Sequence, residues 1–284
     1  MQSPKEDPFG DRMKLYEQAE AGRRLMPRLP AMARLDGRAF HAFTKHAKRP
    51  FSELFHRAMV AVTRHLVEET GALVGYTQSD EIGLAWHAAD PKSQMMFDGN
   101  IQKLTSTLAA MASVRLNKFG FALDVADRVK SGLAWHSSPT FDCRVWNAPT
   151  LTEAANVFVW RQADAVRNSV QMLARAHFSH TECQDRSCSA LQEMLHARGV
   201  NWNDQPAWAK RGSFIQRFRS ERRFDAAEIA RLPDGHQARA NPDLVVERTG
   251  VRELDMWVTR LSNREGALFA GEDPTPIADA PAST

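Results

Sequence analysis

ALVGYTQSDEIGLAW, residues 72–86, sets two apolar runs around a polar centre. Its β-branched and aromatic residues favour extended backbone, and the polar middle favours a reversal. The reading is a hairpin: a strand over 72–76, a turn over 77–79 and a return strand over 82–86. That hairpin places two adjacent acids, Asp80 and Glu81, at its tip.

The segments on either side extend the pattern. Upstream, SELFHRAMVAVTRHLVEETG (52–71) spells a helix, with Ser52 as N-cap and Gly71 as terminator. Leu54, Ala58, Val62 and Leu66, with Phe55, Met59 and Val67 beside them, give that helix one apolar face. Before it, after Pro27 and Pro30, AMARL (31–35) is a short apolar run that ends at Asp36-Gly37 and reads as a strand. Downstream, 100–119 has helical periodicity and FDCRVW (141–146) is a further strand. The order strand, helix, strand, strand, helix, strand predicts an α+β fold: a ferredoxin-like βαββαβ antiparallel sheet with helices packed on one face.

The remainder reads as mostly helical. ANVFVWRQADAVRNSVQMLARA (155–176) places Trp160, Ala163, Val166, Val170 and Leu173 on one face, so Trp160 and Phe158 are expected in the core. WAKRGSFIQRFRSERRF (208–224) is basic with interleaved aromatics. Lys210 and Arg211 there are candidate contacts for an RNA backbone, the alternative being an ordinary amphipathic element with a solvated face. The expected organisation is an N-terminal extension over 1–29 with a short helix at 11–25, a sheet domain over 30–150, a mostly helical region over 151–270, and a disordered Pro/Ala-rich tail over 271–284.

Composition narrows the class further. The 284 residues carry a net charge of +3, which permits but does not indicate a nucleic-acid partner. No apolar run approaches a membrane span, and the N-terminus lacks the apolar core of a secretory signal. Three cysteines, Cys143, Cys183 and Cys188, fit reduced thiols, so a cytoplasmic location is expected. His177, His180, Cys183 and Cys188 crowd together, but their spacing matches no common zinc framework.

The acids carry the chemistry. In a βαββ unit the first and third strands are neighbours, so Asp36 and Asp80 converge at one end of the sheet with Glu81 beside them. An Asp-Gly pair is ordinarily a turn, and an Asp-Glu pair at a hairpin tip is ordinarily solvated. Together with the Gly37 carbonyl, however, these carboxylates make a hard-oxygen site suited to two Mg²⁺ ions holding phosphate oxygens. Gly37 permits a sharp turn and close approach to a triphosphate, and Arg34, Arg38, Lys48 and Arg49 offer the neutralising charge.

ARLDGRAFHAFTKHAKRPF, YTQSDEIGLAW, FDCRVW, WRQADAVRNSV and KRGSF appear in the order found in the tRNA-histidine guanylyltransferase family. Over roughly 30–215 the chain resembles that family, including its bacterial Thg1-like branch. The resemblance implies a palm-like catalytic domain, a tetramer, and nucleotide addition to the 5′ end of tRNA in the 3′-to-5′ direction. In that reaction a nucleoside triphosphate activates the 5′-monophosphate, and the 3′-hydroxyl of the incoming nucleotide then attacks it. It further implies Asp36, Gly37 and Asp80 as metal ligands and Glu81 as an acidic support. Asp36, Gly37, Arg38, Ala39, Phe40, His41, Ser79 and Asp80 would hold GTP, ATP or another triphosphate. Arg34 and Lys103 would lie near it, together with Lys48 or Arg49. Arg161, Gln162, Asp164 and Asn168 would pack the site or hold the tRNA end.

Where eukaryotic members carry HINNLYN, this chain has VRNSVQM from Val166. That departure favours template-dependent repair of tRNA 5′ ends over dedicated guanosine addition to tRNA-histidine. A palm-type nucleotide cyclase and a non-catalytic tRNA-binding protein are the competing classes. The RNA-binding half argues against the cyclase, and the intact acid set argues against loss of catalysis.

Overall fold

The computed structural model describes residues 7–88, 94–241 and 243–278. Helix α1 (Pro8–Ala21) precedes β1 (Ala31–Arg38), a single turn α2 (Phe40–Phe43) and α3 (Glu53–Thr70). Ser52 accepts from the Phe55 N–H at the start of α3, and Gly71 ends it in a left-handed conformation at φ 70°. The hairpin follows as β2 (Val74–Gln78) and β3 (Glu81–Trp86), then α4 (Ile101–Ala122), α5 (Val125–Lys130) and β4 (Thr140–Asn147). The expected βαββαβ core is therefore present, and its strands are antiparallel in the order β4-β1-β3-β2.

Past β4 comes the 27-residue helix α6 (Leu151–His177), with α7 (His180–Cys183), α8 (Cys188–Ala197) and α9 (Ala207–Arg211) after it. The basic stretch then forms a strand, β5 (Ser213–Arg223). Short helices α10 (Ala226–Arg231) and α11 (Gln237–Ala240) lead to β6 (Val245–Leu254). Strand β5 pairs with β2 through Thr77–Ser213 to Val74–Gln216, and β6 completes a six-stranded sheet. The region after 150 is thus partly helical and partly the continuation of the same sheet. Its charge run had hidden the period of two, because only Ser213–Gln216 are buried and the rest of the ribbon is solvated on both faces.

Strand alternation sorts β1 between two cores. Ala31, Ala33 and Leu35 face α3 and α4 and join a cluster with Phe40, Phe43, Phe55, Leu108 and Leu116. Met32 faces the other way, into a core with Phe158, Ala165, Phe214 and Tyr76, so helices cover both faces rather than one. A third cluster joins the far half of α6 to α8 through Val170, Leu173, Leu191, Leu195 and Trp202. The segment 271–278, expected to be disordered, is tied to the body where described. Ser262 and Ile277 N–H groups donate to Thr275 and Arg260 carbonyls, and Asp273 pairs with Arg252. No described helix is long and apolar enough to cross a membrane.

His56 on α3 marks the junction with β5. Its ring stacks on Trp208 with centroids 4.5 Å apart, and its Nε2 lies 3.2 Å from Ser213 Oγ. Burial lowers its pKa to about 4. An unfolded histidine titrates near 6.5, so between those values only the unfolded chain takes the proton, and stability falls as pH falls through the window. His56→Leu is expected to lose about 2–3 kcal/mol less than wild type between pH 7 and 4.5. Urea titrations at the two pH values measure the difference.

Candidate functional site

The carboxylates meet where β1 and the hairpin end. The hairpin turn is two residues, Ser79 and Asp80, later than the expected 77–79, with Gln78 and Glu81 the last pair. Ser79 takes a left-handed conformation at φ 53°, and the Gly37 N–H donates to the Asp80 carbonyl at 3.1 Å. This bond joins the turn to β1. Gly37 lies within β1 rather than at a reversal, and its lack of a side chain serves packing. A Cβ there would stand 2.5 Å from the Phe40 ring, which closes the core just beneath.

Register fixes the neighbours of Asp36. It sits opposite Glu81 on β3 and Asp142 on β4, so three acids share one row on the face covered by α6. Asp142 and Arg144 lie on the exposed edge strand, and the alternating polar positions of FDCRVW are the only signal of them in the sequence. Glu81 is neutralised from two sides, by Arg34 and by Arg161, and Arg161 also bonds Asp164 at 2.9 Å. Arg34 lies 3.5 Å from Asp36. Glu81 thus orients the arginines around Asp36 and has no free oxygen for a ligand.

Asp80 has the opposite surroundings. Burial raises its pKa, and the charges acting on it are those of Asp36 and Glu81, all negative. Its carboxylate also accepts from the backbone and from Ser79, so a half-buried carboxylate with only like charges near it favours a cation in electrostatic terms. Among the described residues no three His, Cys, Asp or Glu side chains converge tightly enough to hold a metal. Two carboxylates and a carbonyl nevertheless suit Mg²⁺, which takes few protein ligands and completes its shell with substrate phosphates and water. Cys183 and Cys188 pack against the third core instead of forming a metal site.

A cleft of about 360 Å³ opens beside Asp80. Ser79, Phe40 and His41 line it, Lys48 and Arg49 supply its positive charge, and Met172 of α6 forms a wall. Both Lys48 and Arg49 line it. Ala39, at φ 57°, swings the chain from β1 into α2 and presents this loop to the cleft; Arg38 is exposed at the strand end. Lys103 is not brought here. It starts α4 at the opposite end of the sheet, some 14 residues or about 20 Å along the axis from Asn117. Asn117 bonds the Pro139 carbonyl beside the strand end that faces Arg38.

The expected RNA contacts divide. Gln162 is buried, donating to the Met256 and Arg211 carbonyls and accepting from the Val258 N–H, so its amide braces the core and has nothing left for RNA. Arg161 belongs to the acid network. Arg211 grips Asp255 with two bonds, at 2.8 and 2.5 Å. Lys210 donates to the Asn203 carbonyl over the Trp202 ring, and Asn168 is exposed.

An antiparallel ferredoxin-like sheet with paired acids at one end and a cleft carrying Lys48 and Arg49 beside them is the arrangement of a nucleotide-handling enzyme. The model of the tRNAHis guanylyltransferase family, Thg1, matches residues 10–149. A bacterial tRNA(His) guanylyltransferase (Thg1)-like protein solved with ATP is 35% identical, with a TM-score of 0.66, over 73% of this chain and 87% of that one. A bacterial Thg1-like protein solved with GTP is 30% identical over 86% and 91%, with a TM-score of 0.62. The tRNA(His) guanylyltransferase of Schizosaccharomyces pombe is 25% identical over 71% of this chain and 77% of its own length. The chain belongs to the tRNAHis guanylyltransferase (Thg1) family.

Proposed function

We propose that this protein adds nucleotides to the 5′ end of tRNA in the 3′-to-5′ direction, as a template-dependent repair enzyme. The observation that carries the reading is the half-buried Asp80, with Asp36 and Glu81 as its nearby charges, lining the cleft that holds Lys48 and Arg49. Asp36, Asp80 and the Gly37 carbonyl would hold Mg²⁺, which when bound supplies charge neutralisation for both attacking and leaving oxygens. Lys48 and Arg49 hold the triphosphate, and the backbone over 37–41 with Ser79 positions it. Arg34 and Arg161, fixed by Glu81, set a positive field behind Asp36. Solved relatives bound to ATP and to GTP support both nucleotides as ligands. Valine at position 166 supports repair over dedicated guanosine addition, because the histidine-bearing eukaryotic motif is not kept.

The test uses a 5′-monophosphorylated tRNA lacking its first nucleotide, Mg²⁺, ATP and all four nucleoside triphosphates. The expected product is one nucleotide longer and matches the base opposite it in the acceptor stem, for several tRNAs. Guanosine addition to intact tRNA-histidine alone, regardless of the opposing base, would instead establish the dedicated activity.

A further inference from the structure

Trp160 has the apolar periodicity of a core residue, yet it is 54% exposed. Among the described residues, the other large apolar side chains of α6 are buried or half-buried. Its neighbours one turn away are Asn156, Val157, Ala163 and Asp164, and among the described residues of α6 it is the one exposed large apolar side chain. Exposed apolar side chains that do gather lie elsewhere, on α1 (Phe9, Leu15, Tyr16) and around α5 (Phe121, Val125, Val129). A lone tryptophan of this kind is unlike the broad patches that seat another protein.

One face of the indole is already engaged. The Arg161 guanidinium lies 4.6 Å from the ring centroid, and the same guanidinium is held by Glu81 and Asp164. The ring is thus tied through one fixed side chain to the acid that sits in register with Asp36. Such an anchored ring, linked through Arg161 to the acid row and in a cationic setting, fits the π-face of a nucleobase.

We infer that Trp160 is a stacking platform for a nucleobase of the RNA substrate next to its 5′ end. The inference rests on the functional reading above. The base belongs to the RNA rather than to the nucleotide in the cleft, because Met172, the α6 residue that lines the cleft, is twelve residues away, about 18 Å along the helix. The triphosphate and the RNA end then approach Asp36 and Asp80 from two directions, with Trp160 holding the second.

The full-length wild type, Trp160→Ala and Trp160→Phe are compared for binding of 5′-monophosphorylated tRNA without nucleotide, binding of ATP without tRNA, and steady-state extension. Trp160→Ala is expected to raise the tRNA Kd about ten-fold and the tRNA KM in parallel, with ATP affinity unchanged. Trp160→Phe, which keeps a π-face, should recover tRNA affinity to within about two-fold of wild type. It should also lose the part of the tryptophan fluorescence that tRNA quenches. Wild-type tRNA affinity in Trp160→Ala overturns the inference, as does loss of ATP affinity in place of tRNA affinity. So does a change in sedimentation without a change in RNA binding, which would mark a protein contact. A wild type that extends no tRNA overturns the functional reading and this inference together. Extension by wild type beside an unimpaired Trp160→Ala overturns the inference alone.

Discussion

Asp80→Asn is expected to reduce nucleotide addition by roughly a thousand-fold or more while the protein melts at a higher temperature than wild type. The two effects have one cause. Asp80 is raised in pKa by burial and by the charge of Asp36, so the folded state binds its proton more readily than the unfolded chain does. Stability from that group is present at low pH and lost as pH rises past its ordinary value toward the raised one. At neutral pH the ionised carboxylate therefore works against the fold, and the neutral amide of asparagine relieves it while keeping an oxygen for the backbone and Ser79 bonds. The same change leaves nothing to balance a bound cation. Asp36→Asn should cost as much activity without the gain in stability, because Arg34 already lies 3.5 Å from that carboxylate. Extension assays and thermal melts at pH 7.5 check both. An Asp80→Asn protein that melts lower than wild type would show that its carboxylate is held by attractive contacts in the free protein.

Arg161→Met is expected to cost about 3 kcal/mol of stability, because one partner of a largely buried ion network is removed and Glu81 and Asp164 lose their shared counter-charge. For a domain of this size that is a fall in Tm of roughly 6–12 °C. Glu81→Gln combined with Arg161→Met should destabilise by less than the sum of the two changes, since the acid needing the arginine is then gone. Activity should fall in Arg161→Met even well below the melting transition, because Arg34 is left to divide itself between Glu81 and Asp36. A double-mutant cycle followed by urea unfolding, with extension assayed in parallel, separates the stability effect from the catalytic one. Additive stability changes would mean that Arg161 and Glu81 act independently.

Much of this site is legible in the chain because its determinants are local. Ser52 and Gly71 bound α3 as helix signals, the alternation around Ser79-Asp80 makes the hairpin, and strand order alone sets Asp36 beside it. What was illegible depended on side chains meeting across the fold. Gln162 and Arg161 are adjacent in one motif, yet one is sealed in the core and the other reaches the acids, a difference of 100° around a helix. Trp160 matched the period of the apolar face and still lies outside it, since periodicity specifies a stripe and not where the stripe's margin meets solvent. The strand character of 213–223 was masked by its charges, because a ribbon solvated on both faces has no apolar alternation to show.

By itself, then, the sequence determined the βαββαβ order, the acids at the strand ends and the family to which they belong, all of which are written in local propensity and ordered motifs. The tertiary structure decided which of those acids is free. Asp80 lines the cleft with the charge of Asp36 nearby, while Glu81, adjacent to Asp80 in the chain, is turned by the pleat of the strand toward Arg34 and Arg161. Charge pairing is a property of distance through space. Two neighbouring carboxylates can therefore differ completely in role, one left uncompensated for a cation and the other already neutralised.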